Sequence, residues 1–231
     1  MRVGWWLWML LISWGLHGQE APLPDSQRVD VSYAFRDGVY SQLTDLRLNT
    51  PTIAFKNLGG QMVLQADEWL LKVETLHPLG RPDLEIPLDQ VAAICVDGMP
   101  YVFAYKDSLR RFSVFAGLRV KGLLSYYAYD TLAYDTVMVR AYNPVNGRPF
   151  REKAVARPRA ELTEKIIHLG TGQTWDFDPE GMAQAIADDA VLTATLKSLT
   201  EEEQLARLQK ILLIYDDRHP LWLPVIKDGS N

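Results

Sequence analysis

The sequence predicts an α+β fold: an antiparallel β-rich body, curled as a sheet, sandwich or partial barrel, followed by a hairpin and a short C-terminal helical region. Three observations lead there. Between residues 29 and 142, short stretches of β-branched and aromatic residues recur between Gly-containing turns, the pattern of closely spaced antiparallel strands. Residues 165–169 and 174–177 flank Gly170-Thr171-Gly172-Gln173 as the two arms of a hairpin. Beyond that point come two helix-start signals, Asp178-Pro179-Glu180 and Thr200-Glu201-Glu202-Glu203.

The elements follow in order. Residues 29–35 alternate Val29, Val31, Tyr33 and Phe35 with polar neighbours, as a strand covered on one face would. Asp37-Gly38 is a turn, and residues 41–49 form a short helix stopped by Asn49-Thr50-Pro51. Strands are expected over 52–55, 61–64 and 69–75, with Gly59-Gly60 as a turn and 77–82 as a loop. Residues 91–96 read as a core strand, Asp97-Gly98 as a tight hairpin turn and 101–105 as the returning strand. Further strands are expected over 111–115, 117–121, 123–129 and 136–142, with Asn143-Pro144-Val145-Asn146-Gly147 as a loop.

The composition then changes. Arg148, Arg151, Lys153, Arg157 and Arg159 are opposed only by Glu152, and Pro149 and Pro158 argue against a helix. This stretch reads as a linker between body and helical region, or as a basic patch for an anionic partner. The C-terminal region, 161–224, is expected to pack on the 29–142 body as one globular unit. In the last helix Leu205, Leu208, Leu212 and Tyr215 form the buried stripe, and Trp222 fastens the tail.

The first residues carry information of another kind. Arg2 is followed by an uncharged apolar run to Leu16, small residues and a polar break at Gln19-Glu20. These are the parts of a secretory signal peptide over residues 1–18, and the run is shorter than the ~20 apolar residues that span a bilayer. The chain is therefore expected to be exported, to the periplasm or beyond. Membrane association would follow only from an uncleaved signal. The only cysteine, Cys95, lies far from the cleavage region, which argues against a lipoprotein, and 227–231 offers no apolar tail as a second anchor. Removing the signal leaves roughly 213 residues, enough for one large domain or two small ones. The formal charge of −5 argues against a nucleic-acid partner. Cys95, inside an apolar strand, reads as a buried small hydrophobe.

Catalytic motifs are sparse. The chain carries no nucleophile elbow, zinc helix, phosphate loop or dinucleotide fingerprint, and His77, His168 and His219 show no metal-ligand spacing. No cofactor or metal is expected. The candidate catalytic residues are Asp216, Asp217 and His219, since paired carboxylates beside a histidine could hold two pKa values apart for acid–base work. The same residues also read as a helix end, with Arg218 and His219 favouring its dipole. Asp188-Asp189 has the same two readings. Tyr126, Tyr127, Tyr129 and Tyr134 offer either a binding face or core pairs.

Asp37-Gly38-Val39-Tyr40 with Asn49-Thr50-Pro51 resembles the "DG-Y … N-x-P" opening of uncharacterised exported proteins of Bacteroidetes-type bacteria. Thr171-Gly172-Gln173 before Phe177-Asp178 is similar as well, and Tyr215-Asp216-Asp217-Arg218-His219-Pro220 stands in place of a "YNxRxP" run, with Asp216 where that run has Asn. The likeness spans residues 37–224 and implies no activity. The expected role is a non-enzymatic envelope protein that binds an envelope protein or glycan; the alternative is a periplasmic hydrolase working through Asp216, Asp217 and His219.

Overall fold

The computed structural model describes residues 26–107, 110–142 and 149–224. The expected signal peptide, the loop at 143–147 and the end of the chain lie outside them.

Twelve strands and four helices are described. In chain order they are β1 (Ser26–Arg28), β2 (Gly38–Tyr40), α1 (Leu43–Arg47), β3 (Ile53–Ala54), β4 (Leu58–Gln65), β5 (Leu70–Pro78), β6 (Ala93–Val96), β7 (Met99–Asp107) and β8 (Phe112–Gly117). Then follow β9 (Leu124–Tyr142), β10 (Pro149–His168), β11 (Thr174–Asp176), α2 (Pro179–Ala185), α3 (Ala190–Lys197), α4 (Glu201–Arg218) and β12 (Trp222–Pro224). Seven strands make one antiparallel sheet in the order β3-β2-β6-β7-β8-β5-β4. Its two edge strands, β3 and β4, are joined by the single turn Phe55–Asn57. Three residues span no more than ~11 Å, so the two edges must lie close together and the sheet curls almost shut. The expected α+β fold with a curled β body is what the chain adopts.

Alternation along each strand gives the sheet two buried faces. Val39, Leu71, Val73, Ile94, Tyr101 and Phe115 pack inside the curl. Tyr40, Leu70, Ala93, Cys95, Val102 and Val114 face the other way, onto Tyr127, Tyr129 and Ile167 of the β9–β10 hairpin. The hairpin's opposite face, with Leu124 and Ile166, meets Met182, Leu192, Leu196, Leu208, Leu212 and Tyr215 from the three later helices. The base of β9–β10 is thus the shared wall between sheet and helices. Among the described residues no helix is long and apolar enough to cross a membrane.

Several local signals act as expected. Asp97 and Gly98 both have positive φ, 53° and 72°, the geometry of a two-residue hairpin turn matched to strand twist. Cys95 is buried, and burial pushes its thiol well up, so it stays protonated. Asp178 caps α2 by accepting the Gly181 N–H at 2.7 Å, with Pro179 in the first turn. Thr200 and Glu203 form the reciprocal capping box of α4. Replacing Thr200 with alanine should cost about 1 kcal/mol and lower Tm by roughly 2–4 °C in a chain of this size, readable by scanning calorimetry.

Five smaller expectations are corrected. Residues 29–35 are not a strand: the Asp30 carboxylate accepts from the Ser32 N–H and hydroxyl, the chain turns, and Val31 is left 87% exposed. Gly59-Gly60 lies within β4 rather than making a turn. Residues 117–121 are not a strand of their own: Gly117 ends β8, and Val120 makes an isolated bridge with Tyr126. Leu205 is exposed, and the buried side of α4 runs instead through Leu208, Ile211, Leu212, Tyr215 and Asp216. Trp222 is exposed too; Leu221 and Leu223 fasten the tail.

The largest correction concerns the basic stretch. From Pro149 on it is neither a linker nor a junction but part of β10, paired with β9 from His168↔Leu124 out to Pro149↔Tyr142. Pro158 is tolerated because β10 has no strand on its outer side there, and an edge strand does not need the missing N–H.

Candidate functional site

The residues singled out at the end of α4 are brought to one helix end but not to one point. Adjacent helix positions lie about 100° apart around the axis, so neighbours in sequence diverge in space. Asp216 turns inward and is 9% exposed. Its Oδ1 accepts the Leu124 N–H at 2.8 Å, and its Oδ2 is a buried atom with no hydrogen-bond partner. Burial pushes its carboxyl up to about 7, against the backbone N–H of Leu124 and the charge of Arg28, which pull it down. Gly122 makes room for this carboxylate, which a Cβ there would strike. Asp216 is therefore a brace that ties α4 to the start of β9.

Asp217 points outward and pairs with Arg28 of β1 at 2.8 Å. His219 lies over the Tyr215 ring, 4.5 Å between centroids, with Nε2 3.6 Å from Asp189 Oδ2. That oxygen also accepts from Arg218 at 2.8 Å, while Asp189 Oδ1 caps α3 through the Leu192 N–H. Those donors hold the Asp189 carboxyl below its ordinary value, the Arg218 hydrogen bond most of all. The Tyr215 hydroxyl donates to both oxygens of Asp188 at 3.0 Å. Burial, followed by that hydrogen bond, raises its ionisation well above the usual range.

His168 belongs to the same neighbourhood, which sequence spacing did not reveal. Its Nδ1 accepts from the N–H groups of Gly170 and Thr171, each at 3.1 Å, so the neutral ring carries its proton on Nε2. Burial pulls its pKa down, and the nearby charge of Asp188 opposes that. Among the described residues no group of three or more His, Cys, Asp or Glu side chains is placed to hold a metal ion. The arrangement does what a clasp does: it locks the end of α4 to the loop between α2 and α3.

The earlier motif is also a clasp. Asn49, with φ 48°, accepts from the Arg36 N–H at 2.8 Å and the Tyr40 hydroxyl at 3.1 Å, and donates to the Tyr33 hydroxyl at 3.0 Å. Asp37 accepts the Gly98 N–H at 2.9 Å. A broad depression of about 700 Å³ runs past these residues, and its floor is this already satisfied network. The tyrosines divide between layers: Tyr127 and Tyr129 are core, Tyr126 donates to Glu164 at the helical side, and Tyr134 is exposed.

Tyr134 stands on the feature that sequence reasoning missed. β9 has 19 residues and β10 has 20, yet only their base is packed. From Tyr134 to Tyr142, and from Arg151 to Ala160, every residue is exposed. From the Asp130↔Leu162 pair to the Tyr142↔Pro149 pair the ribbon extends roughly 40 Å at ~3.3 Å per residue.

Directly opposed residues of an antiparallel pair share a face, so the register assigns the faces. One face carries Leu132, Tyr134, Thr136 and Met138 against Ala160, Pro158, Ala156 and Ala154, with no charge among them. The other carries Asp135, Val137 and Val139 against Arg157, Val155 and Lys153. Arg159 pairs with Asp135 at 3.4 Å, and Arg140 with Glu152 at 2.7 Å. Among the described residues Arg151, Lys153 and Arg157 have no ion-pair partner. The alternation was present in residues 132–138, but the prolines and the run of cations masked it.

Comparison with protein-family models, with curated proteins and with solved structures gives no match.

Proposed function

We propose that the protein is exported and serves as a non-enzymatic binding or assembly component of the cell envelope, with the β9–β10 ribbon as its working element. The observation that carries this reading is the ribbon: roughly 40 Å of two-stranded sheet outside the body, with an uncharged face and apolar side chains in water. An isolated two-stranded ribbon is marginally stable in water, and exposed contiguous apolar surface marks an interaction site. Hydrolysis finds no comparable support, because Asp216, Asp217 and His219 take three separate partners.

The test is crosslinking in intact cells. A photoreactive residue at position 134 or 138 should capture a partner, while one at Val191, exposed on α3, should not. Capture only from position 191, or a specific turnover activity lost on mutating Asp217 or His219, would sink the proposal.

A further inference from the structure

We propose that the cationic face of the ribbon docks on the phosphate headgroups of an anionic lipid surface. The inference goes beyond the reading above, which rests on the opposite face, and residues 1–18 take no part in it.

The register builds this face. On β10 it carries Arg151, Lys153, Val155, Arg157 and Arg159, every second residue, so neighbours in the row stand ~6.6 Å apart along the strand. On β9 it carries Ala133, Asp135, Val137, Val139 and Ala141. Arg159, at the inner end of the row, is held by Asp135 at 3.4 Å and Glu161 at 3.9 Å. Arg151, Lys153 and Arg157 are exposed and have no ion-pair partner among the described residues. Outward of the Asp135↔Arg157 pair the described face holds no acidic residue.

Charge is also segregated over the whole chain. Residues 135–159 hold six Arg and Lys against two acidic residues, a net +4 in a chain whose formal charge is −5. That leaves −9 for the rest, which an anionic surface repels. The length of the ribbon overcomes the repulsion. At ~3.3 Å per residue, Arg157, Lys153 and Arg151 stand about 17, 30 and 36 Å from Leu162 at the base. Charges in physiological salt are screened within about 8 Å. The cations therefore reach the surface while the body stays outside its field.

The side chains between the cations choose the partner. Val137, Val139 and Val155 are 41%, 51% and 41% exposed on the same face. Aliphatic groups among cations match a lipid surface, where phosphates lie over an apolar boundary. The face has no aromatic ring for the bases of a single-stranded nucleic acid to stack on. Its one uncharged polar side chain is Thr131, opposite Glu161 at the base, too little for the hydroxyls of a polysaccharide. The ribbon stays at headgroup depth with its edges toward water, since hydrocarbon would leave their backbone groups unsatisfied.

Flotation of the exported chain, free of residues 1–18, with vesicles tests this. Vesicles of about 30% phosphatidylglycerol in phosphatidylcholine should bind it about tenfold or more tightly than phosphatidylcholine alone. Raising salt from about 0.1 to about 1 M should release it. Arg151→Gln, Lys153→Gln and Arg157→Gln should each weaken binding about fivefold, and the triple variant about a hundredfold. Lys197→Gln, at an exposed cation of α3, should change nothing. All these positions are exposed, so every variant should keep the parental circular dichroism spectrum. Equal binding to both vesicle types, or binding that the triple variant keeps, overturns the proposal. So does retention on a dextran sulfate resin by a chain that ignores vesicles, which makes the partner an acidic polymer. If vesicles fail to bind while position 134 captures a protein in cells, the lipid contact is wrong and the binding reading stands.

Discussion

Replacing Asp216 with asparagine is expected to make the protein more stable at pH 8, by about 2–4 kcal/mol, and to leave it no more stable than the parent at pH 4. The ordinary value of this carboxyl is 3.8, and in the folded protein burial raises it to about 7. Below about pH 4 folded and unfolded chains both hold the proton, and the contribution of the group is fully present. Between there and pH 7 the unfolded chain releases the proton while the folded chain keeps it. Stability is then lost as pH rises, by at most about 1.4 kcal/mol per unit for one group. Above pH 7 a carboxylate sits buried with one oxygen unpartnered. Asparagine keeps an oxygen to accept the Leu124 N–H and cannot ionise. His168 has its pKa lowered by burial, so its contribution runs the other way and is lost as pH falls. Both proteins contain it, so it cancels in the difference between their curves. Urea unfolding of parent and variant at a series of pH values gives that difference directly. Parallel curves would mean that Asp216 ionises in the folded protein much as it does in the unfolded one.

A larger loss is expected from Gly60→Ala, on the order of 3 kcal/mol or more, with Tm falling by roughly 10 °C. Gly60 has φ 137°, which side-chain-bearing residues rarely adopt, and a Cβ there would lie inside the contact distance of the Thr75 carbonyl oxygen. Thr75 is on the partner strand β5, and the ladder already shifts register at the next pair, between Gln61 and Met62. The edge strand would have to lift away just where the sheet comes nearest to closing. The inner core should then take up a hydrophobic dye well below the parent's unfolding temperature. A variant melting within two or three degrees of the parent would show that the seam bends at little cost.

What could be read in the sequence was local. A turn such as Asp97-Gly98, or a cap such as Thr200 with Glu203, is decided within four residues, and each formed where its residue types demand it. What could not be read depended on partners distant in the chain. Residues 29–35 alternate like a strand, yet Val29 packs with Leu221 and Leu223 while Asp30 bends the backbone. Residues 151–160 looked like a linker because nothing buries them, and burial is what gives a strand its alternating signature. Glycine at 59 and 60 usually means a turn; here it admits the His77 ring and the Thr75 carbonyl beside β4. The site followed the same rule. Asp216, Asp217 and His219 are neighbours in the chain, and their partners, Leu124, Arg28 and Asp189, come from three different places.

The pairing of the first and last strands has a mechanical consequence. β1 and β12 run antiparallel, with Ser26 beside Pro224 and Arg28 beside Trp222, so the chain enters and leaves the body at the same spot. Tension on the two ends would load these pairs one after another, as in a zipper, rather than all together. The last strand should peel at low force. The Arg28–Asp217 ion pair would open next, and Val29, Leu221 and Leu223 would then meet water while the curled sheet stayed closed.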